Sequence, residues 1–150
     1  MIKTAQQHLL ERQGRHPHAT GEFSWLLSGI ILATKIIQSQ IQRAGLIGVV
    51  GETGATNVQG EAVQKLDEIA NRTLVQCLGY RGNVGILVSE EDHEPHVLQE
   101  STTAGKYTVL FDPLDGSSNI NANVSIGTIF SILQCDPKAE RCYKPEPRCP

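Results

Sequence analysis

Apolar residues recur at helical spacing in three stretches of the chain. Ile2, Ala5, Leu9 and Leu10 predict a short helix over Met1 to Arg12. Phe23, Leu26, Leu27, Ile30, Ala33, Ile37 and Ile41 predict a longer one, opened by Thr20-Gly21-Glu22 and running to about Arg43. Thr20 is its expected N-cap, and Glu22 complements the dipole in the first turn. Such a helix start can bind a phosphate through its backbone amides or simply cap a core helix. Val63, Leu66, Ala70, Leu74 and Cys77 predict a third helix over Glu61 to Leu78. Asp67 lies on or beside that stripe. It is either an edge residue that reaches solvent or a buried carboxylate that must be paired, protonated or metal-linked.

The pattern then becomes that of strands, the first two of them buried. Asn83 to Ser89, Lys106 to Phe111 and Ile126 to Leu133 are rich in β-branched and aromatic residues. Gly45, Gly48, Gly51, Gly54 and Gly60 mark a loop around the short apolar piece Leu46 to Val50, and His93 to Lys106 reads as a second loop. No phosphate-binding Gly-Lys-Ser/Thr loop and no G-x-G-x-x-G fingerprint occurs. The order is two helices, a loop, a helix and three strands, with no internal repeat and no doubly wound alternation.

Two of the strands run directly into acidic clusters. One ends in Glu90-Glu91-Asp92. The other leads into Asp112-Pro113-Leu114-Asp115-Gly116-Ser117-Ser118-Asn119. Pro113 has no N–H to give a central strand, so the chain is expected to leave the sheet at Asp112 and turn. Asp112 and Asp115 could then face one point, as hard divalent cations require of oxygen ligands. Gly116-Ser117-Ser118 offers successive backbone amides to an anion. An Asx-rich turn ahead of a helix would leave the same trace. Ligands collect beyond strand ends in α/β sheets, so both acidic clusters could serve the same cations.

Composition narrows the classes further. The chain has 150 residues, 39% hydrophobic and 19% charged, with net charge −3. That is one ordinary globular domain without a basic face for nucleic acid. The N-terminus holds His16-Pro17-His18 and no apolar signal core. The longest apolar run near it, Ile30 to Ala33, is too short for a bilayer. A cytoplasmic protein without a membrane partner is expected. Cys77 reads as a buried thiol on a helix face. Cys135, Cys142 and Cys149 match no standard zinc spacing. His93-x-x-His96 has no helix to present it and is interrupted by Pro95, so a solvated loop is expected there. From Cys135 the chain turns polar and Pro-rich, and residues 135–150 are expected to form a disordered tail after a domain over 1–134.

These motifs resemble class I fructose-1,6-bisphosphatase, within the magnesium-dependent, lithium-sensitive phosphatases. Besides Glu90-Glu91 and the octet from Asp112 to Asn119, the likeness rests on three further stretches. They are Ala19-Thr20-Gly21-Glu22-Phe23, Thr56 to Glu61 leading to Lys65-Leu66-Asp67, and Val124 to Phe130. It runs from about Thr20 to Leu133. The resemblance implies an α+β, layered sugar-phosphatase fold. N-terminal helices would pack on a mixed, largely antiparallel sheet, and a C-terminal domain would be missing.

It implies hydrolysis of fructose 1,6-bisphosphate to fructose 6-phosphate and phosphate by a homotetramer, in gluconeogenesis or the reductive pentose phosphate cycle. Glu90, Glu91, Asp112, Asp115 and the Leu114 carbonyl would hold Mg2+, with Mn2+ as an alternative. Asp67 and Glu91 would orient and deprotonate the attacking water, and Glu61 would sit on a closing loop. Asp115, Gly116, Ser117 and Ser118 would hold the sugar 1-phosphate. Thr20, Gly21, Glu22, Phe23 and Ser24, with Lys106 and Tyr107, would form an AMP site. Gln134 stands where many AMP-sensitive members have arginine, which weakens that contact. The missing domain carries the sugar and 6-phosphate contacts, so the chain alone is expected to be nearly inactive. The rivals are an inositol monophosphatase-like or 3′-phosphonucleotide phosphatase, and a non-catalytic fragment that binds AMP or joins intact subunits.

Overall fold

A computed structural model of the chain describes residues 2–47, 51–56, 62–98, 105–118 and 124–135. Helix α1 spans Ala5–Gln13. It opens on a reciprocal cap. Thr4 Oγ1 accepts from the Gln7 N–H at 3.1 Å, and Gln7 Oε1 accepts from the Thr4 N–H at 3.0 Å. Helix α2 spans Glu22–Ile47, so the apolar piece at Leu46 is helix rather than loop. The expected N-cap, Thr20, is not the cap. Gly21, at φ 83°, supplies the carbonyl for the first turn, accepting from the Trp25 N–H at 2.8 Å. Thr20 instead turns its hydroxyl to Glu22 Oε2 at 2.7 Å.

The Gly-punctuated segment contains a strand where a loop was expected. Strand β1, Glu52–Thr56, pairs antiparallel with β2, Ala62–Gln64. Helix α3, Lys65–Gly79, therefore starts later than the Glu61 predicted for it, and Val63 belongs to β2. Residues 57–61, with Glu61, lie outside the described residues. The second sheet has the order β4-β3-β5-β6, from β3 (Val84–Ser89), β4 (His96–Val97), β5 (Tyr107–Asp115) and β6 (Gly127–Gln134). Strand β4 lies in the segment expected to be loop. Its pairing with β3 is antiparallel, β3 with β5 parallel, and β5 with β6 antiparallel. The sheet is mixed and largely antiparallel, as expected.

Strand β5 does not end at Asp112. It runs through Pro113 to Asp115, and the register against β6 shifts between Asp112 and Asp115. A bulge is where a strand tolerates proline. Local bonds replace the broken ladder: Thr128 Oγ1 donates to the Pro113 carbonyl at 3.0 Å, and the Leu114 N–H donates to Asp112 Oδ1 at 3.0 Å.

One core joins the layers. Leu26, Ile30, Ala33 and Ile37 of α2 meet Leu66, Ala70, Leu74 and Leu78 of α3, and both rest on Val84, Leu87, Val109, Phe111 and Leu114 of the sheet. Burial of such side chains is the main stabilising term, and α3 is its centre. Cys77 is only half-buried. Burial still pushes its thiol above the ordinary value. No helix of the described residues is long and apolar enough to cross a membrane.

Candidate functional site

The two acidic clusters meet at one end of the sheet because β3 and β5 are parallel neighbours. Ser89 pairs with Phe111, so Glu90 and Asp112 are next in register, and the Glu90 N–H donates to the Phe111 carbonyl at 3.1 Å. The chain turns at Glu90 and Glu91, where the Glu91 N–H donates to Ser89 Oγ at 3.2 Å. Asp115, exposed, closes β5, and Leu114 beside it is buried. In kind, these carboxylate and carbonyl oxygens suit a hard divalent cation. They are arrayed around the strand ends rather than drawn together: among the described residues, no three His, Cys, Asp or Glu side chains form a ligand cluster.

Beyond β5 the chain reverses at Gly116, whose φ of 82° falls in the left-handed region. A Cβ there would also meet the Ser125 carbonyl at 3.3 Å. The reversal turns Ser117 toward α3, where its hydroxyl donates to Asp67 Oδ2 at 3.1 Å. Asp67 is 2% exposed, so the buried alternative holds. Its Oδ2 also accepts from the Gln64 N–H at 2.7 Å, which caps the start of α3. Asp67 and Ser117 are thus brought together, with Glu90 and Asp112 at the adjoining strand ends.

The start of α2 and the start of β5 form a second junction. Lys106 Nζ donates to Glu22 Oε2, and the Phe23 and Tyr107 rings lie 6.0 Å apart. Buried Asn83 ties the two elements: its Nδ2 donates to the Glu22 carbonyl at 2.7 Å, while its own carbonyl accepts from the Tyr107 N–H at 3.1 Å. Lys106, with Thr20 assisting, holds the Glu22 carboxyl below its ordinary value. Gln134 pairs with Tyr107 at the far side of β5. A cleft of about 220 Å³ opens beside this junction, between α1 and α2, lined by Leu10, Gln13, Gly21, Ser24 and Trp25 among others.

Residues 3–144 match a family described as fructose-1-6-bisphosphatase, N-terminal domain. The chain belongs to the fructose-1,6-bisphosphatase family. It is 50% identical over 131 residues to the class 1 fructose-1,6-bisphosphatase of Chloroherpeton thalassium, covering 87% of this chain and 37% of that protein. It is also 50% identical over 136 residues to that of Oleidesulfovibrio alaskensis, covering 91% and 40%. The crystal structure of Leishmania major fructose-1,6-bisphosphatase in holo form superposes with TM-score 0.84 at 35% identity, over 96% of this chain and 42% of that one. The chain therefore spans about two fifths of the length of these relatives.

Within this fructose-1,6-bisphosphatase domain, several residues that the sequence did not mark hold the site in place. Gln64 joins Ser117 in fixing the Asp67 carboxylate, Ser89 fixes the Glu91 amide, and Asn83 joins the α2 start to β5. The ordering of Asn71 and Asp92 was missed too; Asn71 Nδ2 donates to Asp92 Oδ2 at 2.9 Å. Only Asn71 left a signal, since it lies four residues after Asp67 and so on the same helix face. His93-x-x-His96 forms no metal cluster among the described residues, and His96 Nε2 lies 2.7 Å from Asp92 Oδ2.

Proposed function

We propose that this chain is the metal-carrying part of an enzyme that hydrolyses the 1-phosphate of fructose 1,6-bisphosphate to fructose 6-phosphate and phosphate. The meeting of Asp67 with Ser117, 3.1 Å apart beside the ends of β3 and β5, carries the reading. It sets a buried carboxylate next to a reversal rich in backbone and hydroxyl donors. Glu90, Glu91, Asp112, Asp115 and the Leu114 carbonyl would hold Mg2+ or Mn2+. A bound divalent cation would polarise the phosphoryl oxygens and lower the pKa of a bound water.

The chain's own groups supply the rest. Gly116, Ser117, Ser118 and Asp115 seat the phosphate. Asp67 and Glu91 orient a water opposite the sugar oxygen and take its proton as the new P–O bond forms; the bond from phosphorus to the sugar oxygen breaks, its electron pair stays on that oxygen, and the oxygen takes a proton from solvent. Bonds from Gln64 and Ser117 fix Asp67 in that task. The chain spans about two fifths of its relatives' length, and the reading includes little or no turnover by these 150 residues alone. Cytoplasmic location and homotetrameric assembly are part of the same reading.

A second ligand reading concerns AMP. The cleft beside Gly21 and Ser24 supports it, as does the junction of Thr20, Glu22 and Phe23 with Lys106 and Tyr107. Adenylate that contacts Lys106 would compete with Glu22 for it.

The test joins this chain to the C-terminal part of the Chloroherpeton thalassium relative and measures phosphate release with Mg2+. The expected result is release from fructose 1,6-bisphosphate, cut by about a hundredfold or more in Asp115→Ala, and faster than release from inositol 1-phosphate. A folded fusion that prefers inositol 1-phosphate, or that keeps its rate in Asp115→Ala, contradicts the proposal.

A further inference from the structure

The turn that carries Glu90 and Glu91 is braced by a cluster that the proposed reaction does not use. Asp92 Oδ2 accepts from Asn71 Nδ2 at 2.9 Å and meets His96 Nε2 at 2.7 Å. An ionised carboxylate only accepts, so Nε2 is the donor. Both bonds converge on one oxygen of a side chain that is 28% exposed. They come from different elements: Asn71 from α3, and His96 from β4, where it pairs with Leu87 of β3. The backbone of the same turn is tied to the sheet. The Glu90 N–H donates to Phe111 at 3.1 Å, the Glu91 N–H to Ser89 Oγ at 3.2 Å, and the Asp92 N–H lies 3.4 Å from the Ser89 carbonyl.

Asn71 lies one helical turn beyond Asp67 on α3, so the face that presents Asp67 also grips Asp92. We propose that Asn71, Asp92 and His96 are positioning residues that set the Glu90-Glu91 turn against the helix carrying Asp67. They thereby fix the spacing between the strand-end carboxylates and that buried carboxylate. The bracket also accounts for His96, whose Nε2 meets the Asp92 carboxylate. Its bearing on catalysis rests on the functional reading above.

The test is amide hydrogen exchange on the 150-residue chain, without metal, in Asn71→Leu, His96→Leu and His96→Gln. Glutamine keeps a donor near the Nε2 position, and His96 lies near the surface, so its variants spare the core. In both leucine variants, exchange at the Glu90 and Glu91 amides should rise about tenfold, while His96→Gln stays within about twofold of the parent. Leu87 and Val109 should not change. An equal rise across the core, or none at Glu90 and Glu91, overturns the proposal.

Mn2+ binding on the same samples separates this inference from the functional reading. Binding that is lost in Asp112→Asn yet unaltered in Asn71→Leu overturns the positioning role and leaves the functional reading standing. Exchange that follows the expected pattern in a chain that binds no Mn2+ supports the bracket and removes the functional reading.

Discussion

Ser117 donates its hydroxyl to Asp67 Oδ2 across 3.1 Å, although 50 residues separate them in sequence. The same oxygen accepts the Gln64 N–H at 2.7 Å. One buried oxygen therefore joins the β2–α3 junction to the reversal after β5. Ser117→Ala should cost about 1 kcal/mol and Asp67→Ala about 2 kcal/mol, since the first removes one bond to Oδ2 and the second removes both. Asp67→Asn should cost less, because an amide oxygen can still accept from Gln64. Urea unfolding of the single and double variants checks this. The double variant should lose less than the sum, and strict additivity would mean that the two residues do not act together.

Gly105 and Gly85 let the chain entering β5 lie against β3. A Cβ on Gly105 would sit 2.3 Å from Gly85 Cα and 2.6 Å from Gly85 N, against backbone that cannot swing away. Gly105→Ala should destabilise by about 2 kcal/mol, in the range of an overpacked core. It should also disturb the register shift recorded between Val84 and Ile86. Thermal unfolding gives the cost, and amide shifts of β3 give the displacement. Unchanged values in both would contradict the close approach.

Arg81 clamps α2 to α3. Its guanidinium carbon lies 4.0 Å over the Trp25 ring, Nη1 donates to the Trp25 carbonyl at 2.6 Å, and Nε donates to the Cys77 carbonyl at 3.2 Å. Gly29 makes room, since a Cβ there would lie 2.5 Å from Arg81 Nε. Arg81→Lys keeps the charge but loses the planar fork. It should cost about 1 kcal/mol and alter the emission of Trp25, the single tryptophan of the chain. Fluorescence-detected denaturation reads both effects at once.

The Glu22–Lys106 link gives a pH dependence of known sign. Lys106 first, then Thr20, holds the Glu22 carboxyl below its ordinary value of 4.5. A lowered carboxyl contributes in full above 4.5 and loses its contribution as pH falls through the lower, folded value. The group is exposed, so salt should weaken the effect. In a carbon-13 titration of Glu22, Lys106→Ala should move the midpoint up toward 4.5. A midpoint that does not move would show that Lys106 is not the cause.

The long elements were legible because they are amphipathic or uniformly apolar. The α2 stripe of Leu26, Ile30, Ala33 and Ile37 is buried as its spacing required, and Leu87 and Val109 lie in the centre of the sheet. Strands β1 and β2 left no trace because Glu52–Thr56 and Ala62–Gln64 are short and carry no apolar alternation. The helical stripe of α3 was extended into β2 because Val63 happens to keep its period. Pro113 was read as a strand terminator, but side-chain bonds from Thr128 and Asp112 let the strand continue through a bulge. The chemistry was legible as residue types at strand ends. The bonds that orient it, Ser117 to Asp67 and Asn71 to Asp92, span 50 and 21 residues and exist only in the fold.

The most direct measurement is Mn2+ binding to the 150-residue chain and to Asp112→Asn, followed by electron paramagnetic resonance. Glu90 and Asp112 stand next in register at the ends of β3 and β5, and removing one carboxylate should weaken binding by about tenfold or more. Saturable binding that weakens in this way is the expected result. No saturable binding by the folded chain, or equal binding by Asp112→Asn, would contradict the assignment of the metal to these strand ends.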